Sequence, residues 1–560
     1  MIFESLISLY DRLDKAGDVP PFGFSVEDIG FVITIDKEGN LIGQPEDLRA
    51  KIGANRYEYY SSIVPYSNRV NVRSSSASKV PNFVVDKADY IFGFSGSSER
   101  KAYKNHFENM VQEVCAHSND DGVVAVKNFL KRWDPWESAN LEGWKEICGS
   151  NGKWVAFRLK GEKGFIHERP AVKKLWSEYI AKEVYPEGFC LVDGRKHPIQ
   201  TQYAQFKFDS GASLVSFNKK AYESYGKKRS ENAPISVEAE FKSASALKYL
   251  LRSKKQRLRI GDATTVFWTE RESVVETFMG QILSPSSESA DAVSIQKFLK
   301  AVRAGKMPAE IEHDEKVKFY ILSVSVNKAR LALRFWHVCS VGEMMVRLQK
   351  HFKDLEMERN PKRDIEFPGI WHLLKETARE TKDISPLLGG ALTRSILTGT
   401  NYPRNLYQGV LGRIRADQNV NYLKAAILKA VLQRNHKKEV PMSLDLDRKD
   451  VAYLLGRLFA VLEKVQTDAL GKINATIKDR FFTSASTTPA SVFPRLINLS
   501  QHHTEKAKYG KHWDNLIADL LDNLNGFPKQ LTLVQKGEFQ IGYYQEKIYR
   551  GAKKKEENNE

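Results

Sequence analysis

Tyr320-Ile321-Leu322-Ser323-Val324, a polar link Ser325-Val326-Asn327-Lys328, and Arg330-Leu331-Ala332-Leu333-Arg334-Phe335-Trp336 form the stretch on which the fold turns. Two runs rich in aliphatic, β-branched and aromatic residues around a short linker predict paired strands. They are the last convincing strand signals in the chain. Beyond Glu343 the apolar residues recur at helical spacing in segments 343–357, 369–380, 386–398, 404–415, 420–434, 448–470, 489–502 and 512–525. The expected class is therefore α+β: mixed α/β N-terminal and middle portions, followed by a mostly helical C-terminal region ending in a helix bundle.

Toward the N-terminus the two periods alternate. Leu6, Ile7, Leu9, Tyr10 and Leu13 stripe a helix over Glu4 to Lys15, and Phe31–Ile35, the turn residues Asp36–Asn40 and Leu41-Ile42 predict a hairpin. Helices are expected at Glu99 to Cys115, Val123 to Arg132 and Glu238 to Leu251, and strands at Trp154–Leu159, Ala212–Phe217 and Thr264–Trp268. A boundary falls at Asn435 to Ser443, where a basic stretch with Pro441 precedes a helix carrying Val451, Leu454, Leu455, Leu458, Leu462 and Val465 on one face. The expected organisation is a mixed region over 1–340, a helical region over 341–440, a C-terminal bundle over 441–550 and a disordered charged tail over 551–560.

Composition narrows the function classes. Of 560 residues, 42% are hydrophobic, enough for several cores, and no apolar run approaches the roughly 20 residues of a membrane span. Glu4 stands where a secretory signal carries positive charge, and Cys115, Cys148, Cys190 and Cys339 form no C-x-x-C pair, so a cytoplasmic, reducing setting without membrane partners is expected. Lys and Arg number 86 against 69 acidic residues, a net charge of +17 that attracts polyanions.

Catalytic chemistry is poorly represented. There is no phosphate-binding Gly-x-x-x-x-Gly-Lys-Ser/Thr loop, no Gly-x-Ser-x-Gly elbow and no His-Glu-x-x-His pair. His167-Glu168-Arg169-Pro170 fits a helix start better than an acid–base pair, His502-His503 fits a solvated helix end better than half a metal site, and Asp262 after Gly261 fits a turn. No catalytic residue, metal or cofactor is expected.

Nucleic-acid signals are stronger. Residues 69–82 (RVNVRSSSASKVPN) are serine-rich, acid-free and basic; Arg73, Ser74, Ser75, Ser76, Lys79 and Asn82 offer donors suited to phosphates and groove edges. A second cluster joins Ser213, Asn218, Lys219, Lys220, Lys227, Lys228, Arg229 and Asn232 to Tyr222 and Tyr225, the composition of a backbone-binding face. Arg394, Arg404, Arg413 and Arg415 could line a strand-binding groove. The competing reading of each cluster is a solvated surface.

The strings IHERPAV (166–172), CLVDGRKHPI (190–199), SGASLVSFN (210–218), AYESYGK (221–227), NAPIS (232–236), IGDATTVFW (260–268), LSVSVNKARLALRFW (322–336), PLLGGALTRSILTG (386–399) and YPRNLYQGVLGRIRAD (402–417) occur in the order of one family. The chain resembles the large subunit of the type I-C CRISPR Cascade. The resemblance implies a non-catalytic subunit that contacts the protospacer-adjacent motif in duplex DNA, helps start the R-loop, and leaves sequence specificity to base pairing with guide RNA. It also implies backbone, RNA-end-binding and small subunits as partners, docking of a separate helicase-nuclease, and a C-terminal bundle that resembles the small subunit and lines the displaced strand. Met442 is the candidate start of a separately translated bundle. The loop from Arg73 to Asn82 resembles the family's N-terminal basic loop, followed by Asn82, Phe83, Asp86 and Tyr90.

Overall fold

The computed structural model describes residues 2–556 apart from 55, 68–79, 96–97, 150, 207–210, 218, 284–291, 329 and 472–473. The chain divides into two compact units, Met1–Arg252 with Val326–Ala332, and Ser253–Ser325 with Leu333–Glu560.

The first unit is built on the strand Phe24–Ile35, in which Ile29, Val32, Ile33 and Ile35 are fully buried. Each such side chain contributes about 1.5–3 kcal/mol by leaving water. Trp154–Leu159 pairs parallel with it, Phe31 opposite Val155, while Tyr60–Pro65 and Glu46–Asp47 pair antiparallel with its first and second halves. Val85–Asp86 completes the sheet beside Trp154–Leu159. Register shifts at Gly30, where a Cβ would come within 2.0 Å of the Gly152 carbonyl oxygen, so the strand needs glycine at that crossing. Helices Lys101–Val114, Asp121–Arg132 and Pro170–Ile180 cover one face through Phe107, Val111, Phe129 and Trp176. Ile29, Val32, Val64, Trp154 and Phe165 pack together as a separate buried cluster.

In the second unit the strands run in the order Arg330–Ser340, Lys318–Asn327, Ala263–Thr269, Arg257–Ile260. The expected hairpin is present and longer than its apolar runs. Ser340 ends it and starts the next helix, Val341–Leu355: its Oγ accepts the Glu343 N–H (3.1 Å) and the Glu343 carboxylate accepts the Ser340 N–H (2.9 Å), a capping box that converts strand to helix in one residue. From there on the chain is helical, as its period requires. One apolar core runs from Phe267, Phe319, Ile321 and Phe335 through Leu348, Leu392 and Val431 to Leu458, Phe459, Phe539 and Tyr543. No helix among the described residues is long and apolar enough to cross a membrane.

The final helix, Leu533–Glu556, was not foreseen beyond segment 512–525, and it continues past Lys553, where the sequence suggested a disordered tail. Lysine and glutamate are good helix formers. The body of this helix lies along Val451–Leu470 so closely that a Cβ on Gly456 would meet the Phe539 carbonyl oxygen at 2.0 Å and one on Gly542 the Tyr453 carbonyl oxygen at 2.2 Å. Glu546, fully buried, is held by Arg457 (2.9 Å) and Arg550 (2.6 Å), and the Tyr453 hydroxyl donates to Gln545 Oε1 (2.6 Å).

Gly456→Ala is expected to lower unfolding free energy by about 1–3 kcal/mol through overpacking. Gly412→Ala, with open space around its Cβ inside Arg404–Asp417, should raise it by about 0.5–1 kcal/mol. Urea denaturation of both variants distinguishes a crowded crossing from a generic glycine effect.

Candidate nucleic-acid interface

Arg73, Ser74, Ser75, Ser76 and Lys79 lie outside the described residues, but the segment that follows them is well defined. Asn82, Phe83, Val84, Val85 and Asp86 are all fully buried. Asn82 Oδ1 accepts the Ser67 N–H (3.4 Å), and Asp86 takes the Asn82 N–H on one carboxylate oxygen and the Lys87 N–H on the other, each at 2.7 Å. Phe83 stacks on Trp176 with centroids 5.6 Å apart, and the Trp176 indole N–H donates to the Gly23 carbonyl (2.6 Å). Tyr90, 3% exposed, meets Tyr103 edge to face. The Asn82, Phe83, Asp86, Tyr90 pattern is thus buried structure, and Asn82 ties residue 67 to residue 82.

The second cluster forms a small lobe of the same unit. Ser224 and Lys227 pair across Tyr225 and Gly226, whose φ values are +52° and +71°, and the Lys227 N–H donates to the Ser224 carbonyl (2.9 Å). Two central residues at positive φ are the mark of a type I′ turn, where asparagine and glycine are usual and tyrosine is not. Asn232 braces the turn from within: Oδ1 accepts the Ser224 N–H (3.2 Å) and hydroxyl (3.1 Å), and Nδ2 donates to the carbonyls of Lys227 (3.0 Å) and Arg229 (3.1 Å). Lys219, Lys220, Lys227, Lys228 and Arg229 are exposed and make no ion pair among the described residues. Asn218 lies outside the described residues, and Ser213, 8% exposed, is a sheet residue whose backbone pairs with Gln205 and Arg330. The strand expected over 212–217 is only Ala212–Ser213.

Two cations join this lobe that the sequence did not suggest. Arg330, at the tip of the long hairpin, lies with its guanidinium 4.1 Å from the Tyr222 ring centroid, and Lys328 beside it bears on the same hydroxyl. Hydrogen bonding from Arg330 and its charge hold the Tyr222 hydroxyl below the usual tyrosine range. In the sequence Lys328 and Arg330 read only as turn and strand; their distance from residue 222 along the chain hid the partnership. Tyr66, next to the anchored segment, and Gln205 and Phe206, on the strand paired with Ala212–Ser213, line one cavity of about 240 Å³. Glu240 lines it too, its carboxyl pushed up to about 7 by burial.

The third group, in the second unit, is mixed. Arg394, Arg404 and Arg415 are exposed, whereas Arg413 is ion-paired with Asp417, which also takes Lys424 Nζ at 3.1 Å. Tyr402 is buried, hydrogen-bonded to His351 Nδ1 (2.8 Å) and covered by the Arg434 guanidinium at 4.1 Å.

The residues weighed for catalysis take structural places. His167 is fully buried; its Nε2 lies 2.9 Å from Ser62 Oγ, which donates to Glu168 Oε1 (3.1 Å). Burial pushes the imidazole down to about 4, so it stays neutral at pH 7. Asp262 is paired with Arg334 in the turn between Arg257–Ile260 and Ala263–Thr269. His502 is exposed near the end of Phe493–Thr504, and among the described residues no group of three His, Cys, Asp or Glu side chains is placed to hold a metal ion.

A family model described as CRISPR-associated protein (Cas_Csd1) matches residues 6–549. No curated protein matches the chain.

His167 binds fewer protons folded than unfolded between pH 6.5 and 4, so its contribution to stability is complete above pH 6.5 and is lost as the pH falls through that window. His167→Gln, which keeps a partner for Ser62, should lose less stability than the native chain between pH 7 and pH 5, a difference of about 1 kcal/mol or more read from urea midpoints at the two pH values.

Proposed function

The chain belongs to the CRISPR-associated Cas_Csd1 family, the large subunit of type I-C surveillance complexes, and from that premise we propose that it recognises the protospacer-adjacent motif in duplex DNA, promotes R-loop formation and supports recruitment of a helicase-nuclease. It catalyses no step itself. Its partners in this reading are guide RNA, target duplex and displaced strand, the backbone, RNA-end-binding and small subunits, and the helicase-nuclease. Base pairing with the guide then carries sequence specificity, and the protein reads only the short motif and the phosphate backbone. Such a complex works in the cytoplasm.

The observation that carries the proposal is the braced lobe. Five exposed cations that make no ion pair among the described residues, Lys219, Lys220, Lys227, Lys228 and Arg229, stand on or beside a turn locked by Asn232, with Lys328 and Arg330 supplied from the hairpin tip. The five lobe cations release counterions when they meet phosphate, without first giving up an ion pair to a described residue. Motif reading falls to Arg73, Ser74, Ser75, Ser76 and Lys79. Asn82, Asp86, Ser213 and Asn232 serve as support, since their side chains or backbones are bonded inside the unit.

In the second unit, Arg394, Arg404 and Arg415 are the cations left for the displaced strand, Arg413 being neutralised by Asp417. The regions 341–440 and 441–550 act as assembly helices and as a small-subunit-like bundle. Met442, 48% exposed, fits a second translation start by position, although its carbonyl accepts the Glu358 N–H (2.9 Å) and so ties it to the upstream helices of the full-length chain.

Target binding by the reconstituted complex, on duplexes that keep the protospacer and either keep or scramble the adjacent motif, tests this. Lys79→Ala, Lys219→Ala and Lys220→Ala should each weaken binding to every duplex and reduce the salt slope by about one unit. Ser75→Ala should blur motif preference instead. Affinity untouched by all three lysine changes, with guide RNA still retained, would replace the proposal with a purely structural scaffold.

A further inference from the structure

The geometry points to Tyr225 and the Arg330-capped Tyr222 as a stacking platform for unpaired bases, so that the lobe at 219–232 engages a single nucleic-acid strand in preference to a closed duplex. The inference rests on reading that lobe as a polynucleotide surface and adds which form of polynucleotide it takes.

Tyr225 is 99% exposed, the most exposed aromatic side chain among the described residues. Among the described residues nothing packs on its ring. It also occupies a positive-φ position that disfavours an aromatic residue, next to a glycine that suits the turn. The backbone beneath it is held in place by the Ser224–Lys227 pairing and the four hydrogen bonds of Asn232, so the ring is presented at a fixed point instead of on a floppy tip.

Tyr222 is 38% exposed, and Arg330 packs against its ring, which gives an aromatic surface already polarised by a cation. Cations bracket both rings along the chain, Lys219 and Lys220 before Tyr222, and Lys227, Lys228 and Arg229 after Tyr225. Basic side chains following a backbone, interleaved with exposed rings, are the pattern by which single strands are held without sequence preference.

The rings decide between strand states. In a duplex the base faces are stacked on one another and only edges and phosphates are offered, so an exposed tyrosine gains little. Once a strand is unpaired its base faces are open, and each ring–base stack adds affinity. A lobe meant for duplex phosphate alone would need the lysines and leave Tyr225 idle.

The test uses the full-length chain and fluorescence anisotropy with 15-nucleotide oligothymidylate, oligouridylate and a motif-free duplex of equal length. Tyr225→Asn suits the positive-φ turn position, so it removes the ring without disturbing the turn. It should weaken binding to a single strand by about 5- to 100-fold and leave the duplex affinity and every salt slope unchanged. Tyr225→Trp should restore or exceed native affinity. The paired change Lys227→Ala with Lys228→Ala should lower the slope on single strand and duplex alike. Loss confined to oligothymidylate or to oligouridylate supports the platform and names the strand. Equal loss on single strand and duplex, or no loss on any probe, overturns it. Motif preference is scored separately with scrambled-motif duplexes, so failure of motif reading and failure of stacking give different results.

Discussion

Hydrogen bonding between Lys318–Asn327 and Arg330–Ser340 is the constraint on which the architecture depends. Side chains alternate faces along a strand, so one register sends Phe319, Ile321 and Phe335 into the core, and a slip of one residue would turn that set outward. The same ladder ends at Ser340, whose capping box launches the helical part of the chain. At its other end it delivers Arg330 to Ser213 and Tyr222. The stem belongs to the second compact unit and the tip, Val326–Ala332, to the first.

The helical unit depends on a second constraint of a different kind. Close approach at Gly456 and Gly542 lets two long helices bring backbone against backbone, and buried charges pair beside the contact. Glu546 and Glu538 are buried there with Arg457, Arg550, Lys438 and Arg448 as counter-charges. Desolvating such pairs costs about as much as their attraction returns, so they add little net stability, whereas removing one partner strands a buried charge.

Exposed cations and inward-bonded polar side chains are neighbours in the chain in the first unit. Asn82 and Asp86 bond inward, and Asn232 sets the geometry of a turn whose exposed members, Lys227, Lys228 and Arg229, carry charge. Polar residues in a basic, serine-rich stretch look alike on paper. Burial separates them, because an amide enclosed in the fold, like that of Asn82, cannot reach a phosphate or a base edge.

How far the sequence reaches can be judged from particular elements. The strands at 320–336, the turn to helix beyond Glu343 and the stripes of Val451–Leu470 were legible because period is a local property. The acid-free loop and the cation cluster at 219–232 were legible as composition. The final helix was missed because Glu538, Gln540, Gln545 and Glu546 interrupt its apolar stripe, and only partners distant in the chain make their burial tolerable. Arg330 was missed for the same reason: its partner Tyr222 is remote in sequence and adjacent in space. By itself, then, the sequence determined the periods, the turn and cap chemistry, the net charge and the family likeness. Which polar groups are consumed inside the fold and which are left for a ligand was decided by tertiary structure, since hydrogen-bond satisfaction depends on distances that no local pattern encodes.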